Sequence, residues 1–339
     1  MKRQASEIIE QYLEAYKGKD FANRTLARKI IRDNKGVFEE SDLESVRGKI
    51  RYHRGALGKD VRHKANPEYV REEMKPSEYM KEYINQGKIT YKGDWHLPKE
   101  YRKPLILSDL HIPYHHLPAI DVTLDHAFGR GVDSIYINGD LIDFAKISRW
   151  EKDPHTIGVQ VEIDQVRDFL EGLAGLGLPI FYKLGNHEER WNAYLIREAP
   201  ELYDLDALQM ESVLGLDDLG IELIGGKQKA VFGKHLNVLH GHEFGHSMFS
   251  PVNPARGLFL RAKTNVIAGH NHQTSSHHEN DLKGKPTATF STGCLCDLQP
   301  DYRPFGYTKW NHGAAIVELD EDGDFSVQNF RVMKGKVRG

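Results

Sequence analysis

The sequence predicts an α/β protein built on parallel strands and preceded by a small helical region. Three observations predict it. Short apolar runs rich in Ile, Leu, Val and Tyr recur at 103–108, 133–138, 178–184, 235–239 and 264–268, with the length and residue types of buried strands. Helical candidates at about 117–130, 158–175, 188–198 and 204–214 fall between them, the alternation that parallel sheets require. The first fifty or so residues, by contrast, place their apolar side chains only at helical spacing.

At the N-terminus, Ile8, Ile9, Tyr12, Leu13 and Tyr16 make one apolar stripe over 5–17, an amphipathic helix. A second helix runs from about Arg24 to Arg32 with Leu26, Ala27, Ile30 and Ile31 facing inward and Asn23 as its cap, and Asn34-Lys35-Gly36 ends it. Ser41-Asp-Leu-Glu44 reads as a capping box opening a third helix through Val46 and Ile50. The opposite face of that helix carries Arg47, Arg51 and Arg54, spaced to lie along nucleic-acid phosphates. Helix, turn and basic helix resemble a helix-turn-helix module, so DNA or RNA is an expected partner. Residues 1–64 are read as this basic domain, 65–100 as a Pro-punctuated connector with a helical patch at 77–85, and 101–339 as the catalytic domain.

Each of the five runs ends in a polar cluster: Asp109-x-His111, Gly139-Asp140-x-x-Asp143, Gly185-Asn186-His187-Glu188, His240-Gly241-His242 and Gly269-His270-Asn271-His272. One parallel sheet would deliver all five to its carboxyl edge, where open α/β sheets bind ligands. Carboxylate, imidazole and amide donors suit hard or borderline divalent ions rather than thiolate-bound ones. Two such ions about 3.5–4 Å apart can activate water for an in-line displacement at phosphorus, with a carboxylate such as Asp140 between them.

The five clusters, in this order, resemble the calcineurin-like metallophosphoesterase superfamily over roughly residues 103–332. The resemblance implies two packed β-sheets with helices outside, an α/β/β/α sandwich. It also implies that Asp109, His111 and His272 hold one ion and that Asn186, His240 and His270 hold the other, with Asp140 shared. His240 is preferred to His242 because the family pattern ligates through the His before Gly. His187 would face the substrate phosphate and protonate the leaving oxygen, with Asp143 and Glu188 orienting ligands or His187, and Asn186 would also hold phosphate oxygens. Oxygen and nitrogen donors favour Mn²⁺, with Fe, Zn²⁺, Co²⁺ or Ni²⁺ as alternatives.

After the fifth cluster, 287–292, 314–319 and 325–332 read as strands, with Asp320-Glu-Asp-Gly323 as a hairpin turn. They are expected to complete a second sheet. The stretch Trp310-Asn-His312-Gly313 and the loop after the second cluster look like phage and prophage members of the superfamily, so the expected location is the cytoplasm of a bacterial or phage-infected cell. In that loop Arg149 and Trp150 are candidates to hold a phosphate and stack a base. The aromatic cluster Tyr302, Arg303, Phe305, Tyr307, Lys309 and Trp310 serves either substrate or the core. The Arg-Gly and Arg signals of the Ser/Thr phosphatase subgroup are replaced by Phe144-Ala145 and Lys183, which argues against that subgroup.

Composition bounds the rest. No apolar run is long enough to cross a bilayer, and the two cysteines, Cys294 and Cys296, are too close for a disulfide and too few for a zinc ribbon. Residues 1–100 carry 22 basic and 17 acidic side chains, net +5, whereas 101–339 carry 24 and 32, net −8. The expected function is a dinuclear-metal phosphodiesterase or nuclease. A phosphomonoesterase that uses its N-terminal region for assembly, and a binding module that has lost the chemistry, are the alternatives.

Overall fold

In a computed structural model, the structure describes residues 2–17, 22–54, 93–149, 156–225, 228–245, 252–300 and 307–339. The contacts divide the chain into two compact units, Met1–Tyr91 and Lys92–Gly339. The expected 77–85 helical patch lies outside the described residues.

In the first unit, helices α1 (Lys2–Ala15), α2 (Asn23–Asp33) and α3 (Leu43–His53) bury Ile9, Leu13, Leu26, Ala27, Ile30, Phe38, Val46 and Ile50 in a core of their own. The apolar spacing of the sequence therefore becomes one closed three-helix surface. Two expected caps differ. Asn23 is the first helical residue of α2, not its cap, because its Oδ1 accepts from Arg54 Nη1 at 3.0 Å. The turn before α3 is closed by Glu39 and Asp42, the Glu39 N–H donating to Asp42 Oδ2 at 2.9 Å, so Ser41 and Glu44 do not form the box. A single helical turn at Glu40–Asp42 occupies the connection between α2 and α3, which is longer than the three to four residues of a helix-turn-helix.

The second unit is a sandwich of two sheets. One holds β2 (Pro104–Leu107), β3 (Ser134–Asn138), β4 (Ile180–Lys183) and β5 (Glu222–Ile224) in parallel, then β11 (Gly313–Leu319), β12 (Phe325–Met333) and β13 (Lys336–Arg338) antiparallel on the β2 side. The other has the order β1 (Trp95–His96), β6 (Ala230–Phe232), β7 (Leu236–Leu239), β8 (Val266–Ala268), β10 (Pro286–Ser291), β9 (Ser275–Asn280). Trp95 and His96, which the sequence reading left in the connector, pair with Ala230 and Val231 and belong to this second sheet.

Alternation along the strands explains the layering. In β2 and β3, Leu105, Leu107, Ile135 and Ile137 face α4 (Leu117–Gly129) and α5 (Val159–Ala174), packing with Ile120, Val166 and Leu170. Ile106 and Tyr136 point the other way, onto Phe232, Leu236, Val238 and Ile267 of the second sheet. Both faces of these strands are thus buried, which is why they read as continuous apolar runs. Helices α6 (Glu189–Glu198), α7 (Met210–Leu214) and α8 (Pro254–Ala262) complete the described helices. The expected 204–214 helix is interrupted, with a separate turn at Asp206–Leu208 before α7.

Two expectations about the sheets are corrected. The C-terminal hairpin β11–β12 extends the first sheet rather than the second, because β11 pairs with the free edge of β2 through Ala315↔Ile106 and Ile316↔Leu105. Nor do the five cluster-bearing strands share one sheet: β2, β3 and β4 lie in the first, and β7 and β8 in the second.

Candidate metal centre

The five clusters nevertheless meet, because the carboxyl ends of β2, β3 and β4 face those of β7 and β8 across the sandwich. Hydrogen bonds tie the two edges. Asn138 Nδ2 donates to the Leu239 carbonyl, and His240 Nδ1 donates back to the Asn138 carbonyl, both at 2.7 Å. The His270 N–H reaches the Asp109 carboxylate at 2.9 Å. Lys183, fully buried at the end of β4, meets Glu243 at 3.4 Å, and Glu243 in turn accepts the N–H groups of His240 and Gly241.

The backbone there is strained. Asp109, His111, Asp140, Phe144, His270 and His272 all have φ between 49° and 64°, a left-handed conformation that costs a non-glycine residue on the order of 1 kcal/mol or more. Six such residues in one place are retained only because the surroundings fix them. Glu188 supplies much of that restraint: its buried carboxylate accepts from the N–H groups of Asp140, Leu141 and Gly185 at 3.0, 2.7 and 2.7 Å and from Tyr182 Oη at 2.7 Å. It therefore shapes the second cluster's loop and, of the two roles expected for it, is placed to orient the ligand candidate Asp140 rather than His187. Gly185 cannot be replaced without conflict, since a Cβ there would strike Asp140 Oδ1 and lie 2.6 Å from the Asp140 nitrogen.

Asp140 sits between two groups of donors. Its Oδ2 is 3.2 Å from His240 Nε2 and 3.8 Å from His111 Nε2. On the His111 side, His111 Nε2 and His272 Nε2 are 3.2 Å apart, and His272 Nε2 is 3.1 Å from Asp109 Oδ1. On the other side, donor atoms of Asp140, His240 and His270 all lie within 4.8 Å of one another. His111 and His240 direct Nδ1 at Asp143 and at the Asn138 carbonyl, which leaves Nε2 of each aimed inward, where a cation could replace its proton. His240 Nε2 and Asn186 Oδ1 are buried without a hydrogen-bond partner. Orphaned acceptors beside carboxylates are what divalent cations satisfy, so the residues present fit a metal pair.

Electrostatics agrees. Burial opposes ionisation of Asp109 and Asp140, yet the facing histidines hold both carboxyls well below the usual range. Burial likewise opposes charge on His240 and His272, but Asp140 and Asp109 push them up to about 10. Desolvation by the surrounding protein, followed by the facing charge of His240, lowers the pKa of His270 to about 4. The cluster thus gathers positive charge around its carboxylates by protonation, at the positions a cation would neutralise.

All seven predicted ligand positions converge: Asp109, His111, Asp140, His240, His270 and His272 in this cluster, and Asn186 with His270 on the wall of an adjoining cavity of about 600 Å³. His242 instead meets Glu189 at 3.2 Å. Cys296 Sγ lies 3.9 Å behind His272 at Nδ1, and both cysteines are free and buried. Trp310 packs edge-on against His272 at 4.2 Å. His187 places Nδ1 2.9 Å from Asp143 Oδ1, so Asp143 braces both His111 and His187. Burial lowers the His187 pKa, but Asp140 and Asp143 outweigh it and raise it overall. Sequence reasoning missed Arg190, whose Nη2 is 2.8 Å from His187 Nε2 and whose Nη1 donates to the Asp143 carbonyl at 2.7 Å. Its three-residue offset from His187 at a helix start was the available signal. Arg149 lines the cavity, whereas Trp150, Tyr302, Arg303 and Phe305 lie outside the described residues.

The arginines expected to meet nucleic acid are largely engaged inside the first unit. Arg47 pairs with Glu44 at 3.0 Å and Arg54 with Asn23 at 3.0 Å, while Arg51 is half-buried. Exposed cations also lie on α2, at Arg24, Arg28 and Arg32, one turn apart, of which Arg32 pairs with Asp33 at 3.2 Å.

The family model of the calcineurin-like phosphoesterases matches residues 102–304. The chain belongs to that family. Calcineurin-like phosphoesterases are metal-dependent hydrolases of phosphoric esters, and the Asp140-centred cluster contains groups of side chains that could hold a metal ion. It is 25% identical over 230 residues to the Gene 54 protein of Mycobacterium phage L5, covering 65% of this chain and 89% of that protein. The Gene 54 protein of Mycobacterium phage D29 is 26% identical over the same shares. Among solved structures it is similar to Vacuolar Protein Sorting 29 from Cryptosporidium parvum (TM-score 0.36, 13% identity, 70% of this chain and 95% of that one). It is also similar to Yfce, a phosphoesterase from E. coli (TM-score 0.30, 15% identity, 67% and 98%).

Glu162 gives this calcineurin-like phosphoesterase a pH signature. Its Oε2 accepts from the Phe144 N–H at 2.7 Å, its Oε1 finds no partner among the described residues, and burial followed by the charge of Asp143 pushes its pKa up to about 7. A raised carboxyl pKa contributes stability that is whole below the unfolded value near 4.5 and lost as pH rises through about 7. In thermal melts with chelator present, the wild type should lose on the order of 2–3 kcal/mol between pH 5 and pH 8 that Glu162→Gln retains. Parallel pH profiles for the two proteins would contradict this.

Proposed function

We propose that the chain is a dinuclear-metal phosphodiesterase acting on nucleic acid or nucleotides. The observation that carries the dinuclear reading is Asp140, a buried carboxylate with imidazole donors on both sides and orphaned His240 Nε2 and Asn186 Oδ1 beside it. Asp109, His111, His272 and Asp140 would hold one ion, and Asp140, Asn186, His240 and His270 the other. Mn²⁺ suits this oxygen and nitrogen set, and Fe, Zn²⁺, Co²⁺ and Ni²⁺ are compatible with it. When bound, the ions supply an activated water and neutralise phosphoryl charge.

The remaining chemistry belongs to the chain. His187 is the general acid for the leaving oxygen, with Asp143 fixing its ring through Nδ1 and, together with Asp140, raising its pKa above the ordinary imidazole value against the effect of burial. A protonated Nε2 cannot accept from Arg190, so the ready enzyme turns that guanidinium toward a phosphate oxygen. Arg149 adds a second cation on the same wall. A cavity of about 600 Å³ exceeds what one phosphate monoester group needs and favours a diester with substituents on both sides. The alternative, a phosphomonoesterase, uses the same centre. Likeness to two mycobacteriophage proteins supports a setting in an infected bacterial cell.

With Mn²⁺ present, bis-p-nitrophenyl phosphate should be hydrolysed with a kcat/KM at least about tenfold above that of p-nitrophenyl phosphate. His187→Ala should cut turnover by roughly 10²–10⁴ without changing metal content. The reverse preference would make the enzyme a monoesterase, and metal loss would move His187 into the ligand set. Nucleic-acid contact by the first unit, if it is made, runs through α2. Arg24→Glu with Arg28→Glu should weaken single-stranded DNA binding and flatten its salt dependence by roughly two charges' worth, whereas unchanged binding would remove α2 from that role.

A further inference from the structure

The cavity beside the centre is a groove with a far end. Asn186 and His270 line its end at the centre. One wall is a face of α6, through Arg190, Ala193 and Arg197, and the other is a face of α8, through Gly257, Leu258 and Arg261. Ala193 and Gly257 are small, so the groove stays open past its middle. Seven residues separate Arg190 from Arg197, about 10 Å along the helix. The groove therefore leads away from the catalytic end to a second pair of guanidinium groups.

Those groups are available. Arg261 has no ion pair or hydrogen bond among the described residues. Among the described residues Arg197 uses only Nε, toward Glu198 at 2.6 Å, and lies over the Tyr194 ring at 5.7 Å, which leaves both Nη groups without a partner there. An exposed pair such as Arg197–Glu198 is worth little and yields readily to a stronger acceptor. The acid on the groove wall, Glu189, lies 3.2 Å from His242 Nε2. Two planar forks facing a groove suit the tetrahedral oxygens of a phosphate.

We propose that Arg197 and Arg261 form a subsite for a second phosphate of the substrate, so the enzyme acts on a short single-stranded nucleotide chain rather than an isolated ester. This rests on the phosphodiesterase reading and deepens it. The volume, about 600 Å³, is that of a small-ligand site, too small for a duplex.

The test compares thymidine dinucleotides that differ by one terminal phosphate: TpT, pTpT and TpTp. The wild type should cleave one phosphorylated form with kcat/KM at least about tenfold above TpT, the order expected of one charge-assisted contact. Arg197→Gln with Arg261→Gln should bring that ratio near one through a higher KM. A merely structural defect would lower all three rates and leave the ratio intact, and Arg261→Gln alone gives an intermediate ratio if the double variant folds poorly. A wild type that cleaves the three alike, or only bis-p-nitrophenyl phosphate, overturns the subsite. One that hydrolyses p-nitrophenyl phosphate but no diester overturns the reading beneath it.

Discussion

Three loops that carry candidate ligands leave one sheet and two leave the other, so the candidate metal centre is assembled only while the two sheets keep one register. That register is held by a short seam. The Asn138 amide and carbonyl bind Leu239 and His240, the Asp109 carboxylate binds the His270 nitrogen, and Lys183 reaches across to Glu243. Each link joins a residue that carries or supports a donor atom to its counterpart in the opposite sheet. The apolar interior of Tyr136, Phe181, Phe232, Val238 and Ile267 supplies the adhesion, but it is the polar seam that sets position to a fraction of an ångström. Lys183 and Glu243 illustrate the cost: a buried ion pair contributes little net stability, while loss of one partner strands the other.

The same economy governs the loops. Left-handed residues at Asp109, His111, Asp140, His270 and His272 turn side chains inward immediately after a strand ends, which a relaxed backbone would not do. Glu188 repays part of that strain by accepting several N–H groups of the second and third clusters at once. Its removal would free the very backbone that presents Asp140. Positioning, rather than direct chemistry, is the work of a residue whose place in a catalytic motif suggests otherwise.

Much of this was legible in the sequence because hard-metal chemistry restricts residue type, and strand ends restrict spacing. Asp109, His111, Asp140, Asn186, His240, His270 and His272 could be named from those two constraints and the family resemblance, and the structure brings them together. What the sequence did not carry was partition and pairing. A strand buried on both faces has no polar side to reveal its layer, so β7 and β8 could not be told from members of the first sheet, nor could β11 be assigned to the β2 edge. Lys183 stood out in the sequence only as a departure from the Ser/Thr phosphatase pattern, and Arg190 not at all, because each acquires its role from a neighbour. The basic stripe of α3 could not be read as free or engaged from sequence for a related reason, since Asn23 and Glu44 meet Arg54 and Arg47 only in the folded unit.

The most direct measurement is the number of Mn²⁺ ions bound per chain, by isothermal titration with elemental analysis, for the wild type and Asp140→Asn. Sharing of Asp140 predicts two ions in the wild type and a weakened hold on both after substitution, with no more than one retained. One ion in the wild type, or two held undiminished by Asp140→Asn, would contradict a centre organised around that carboxylate.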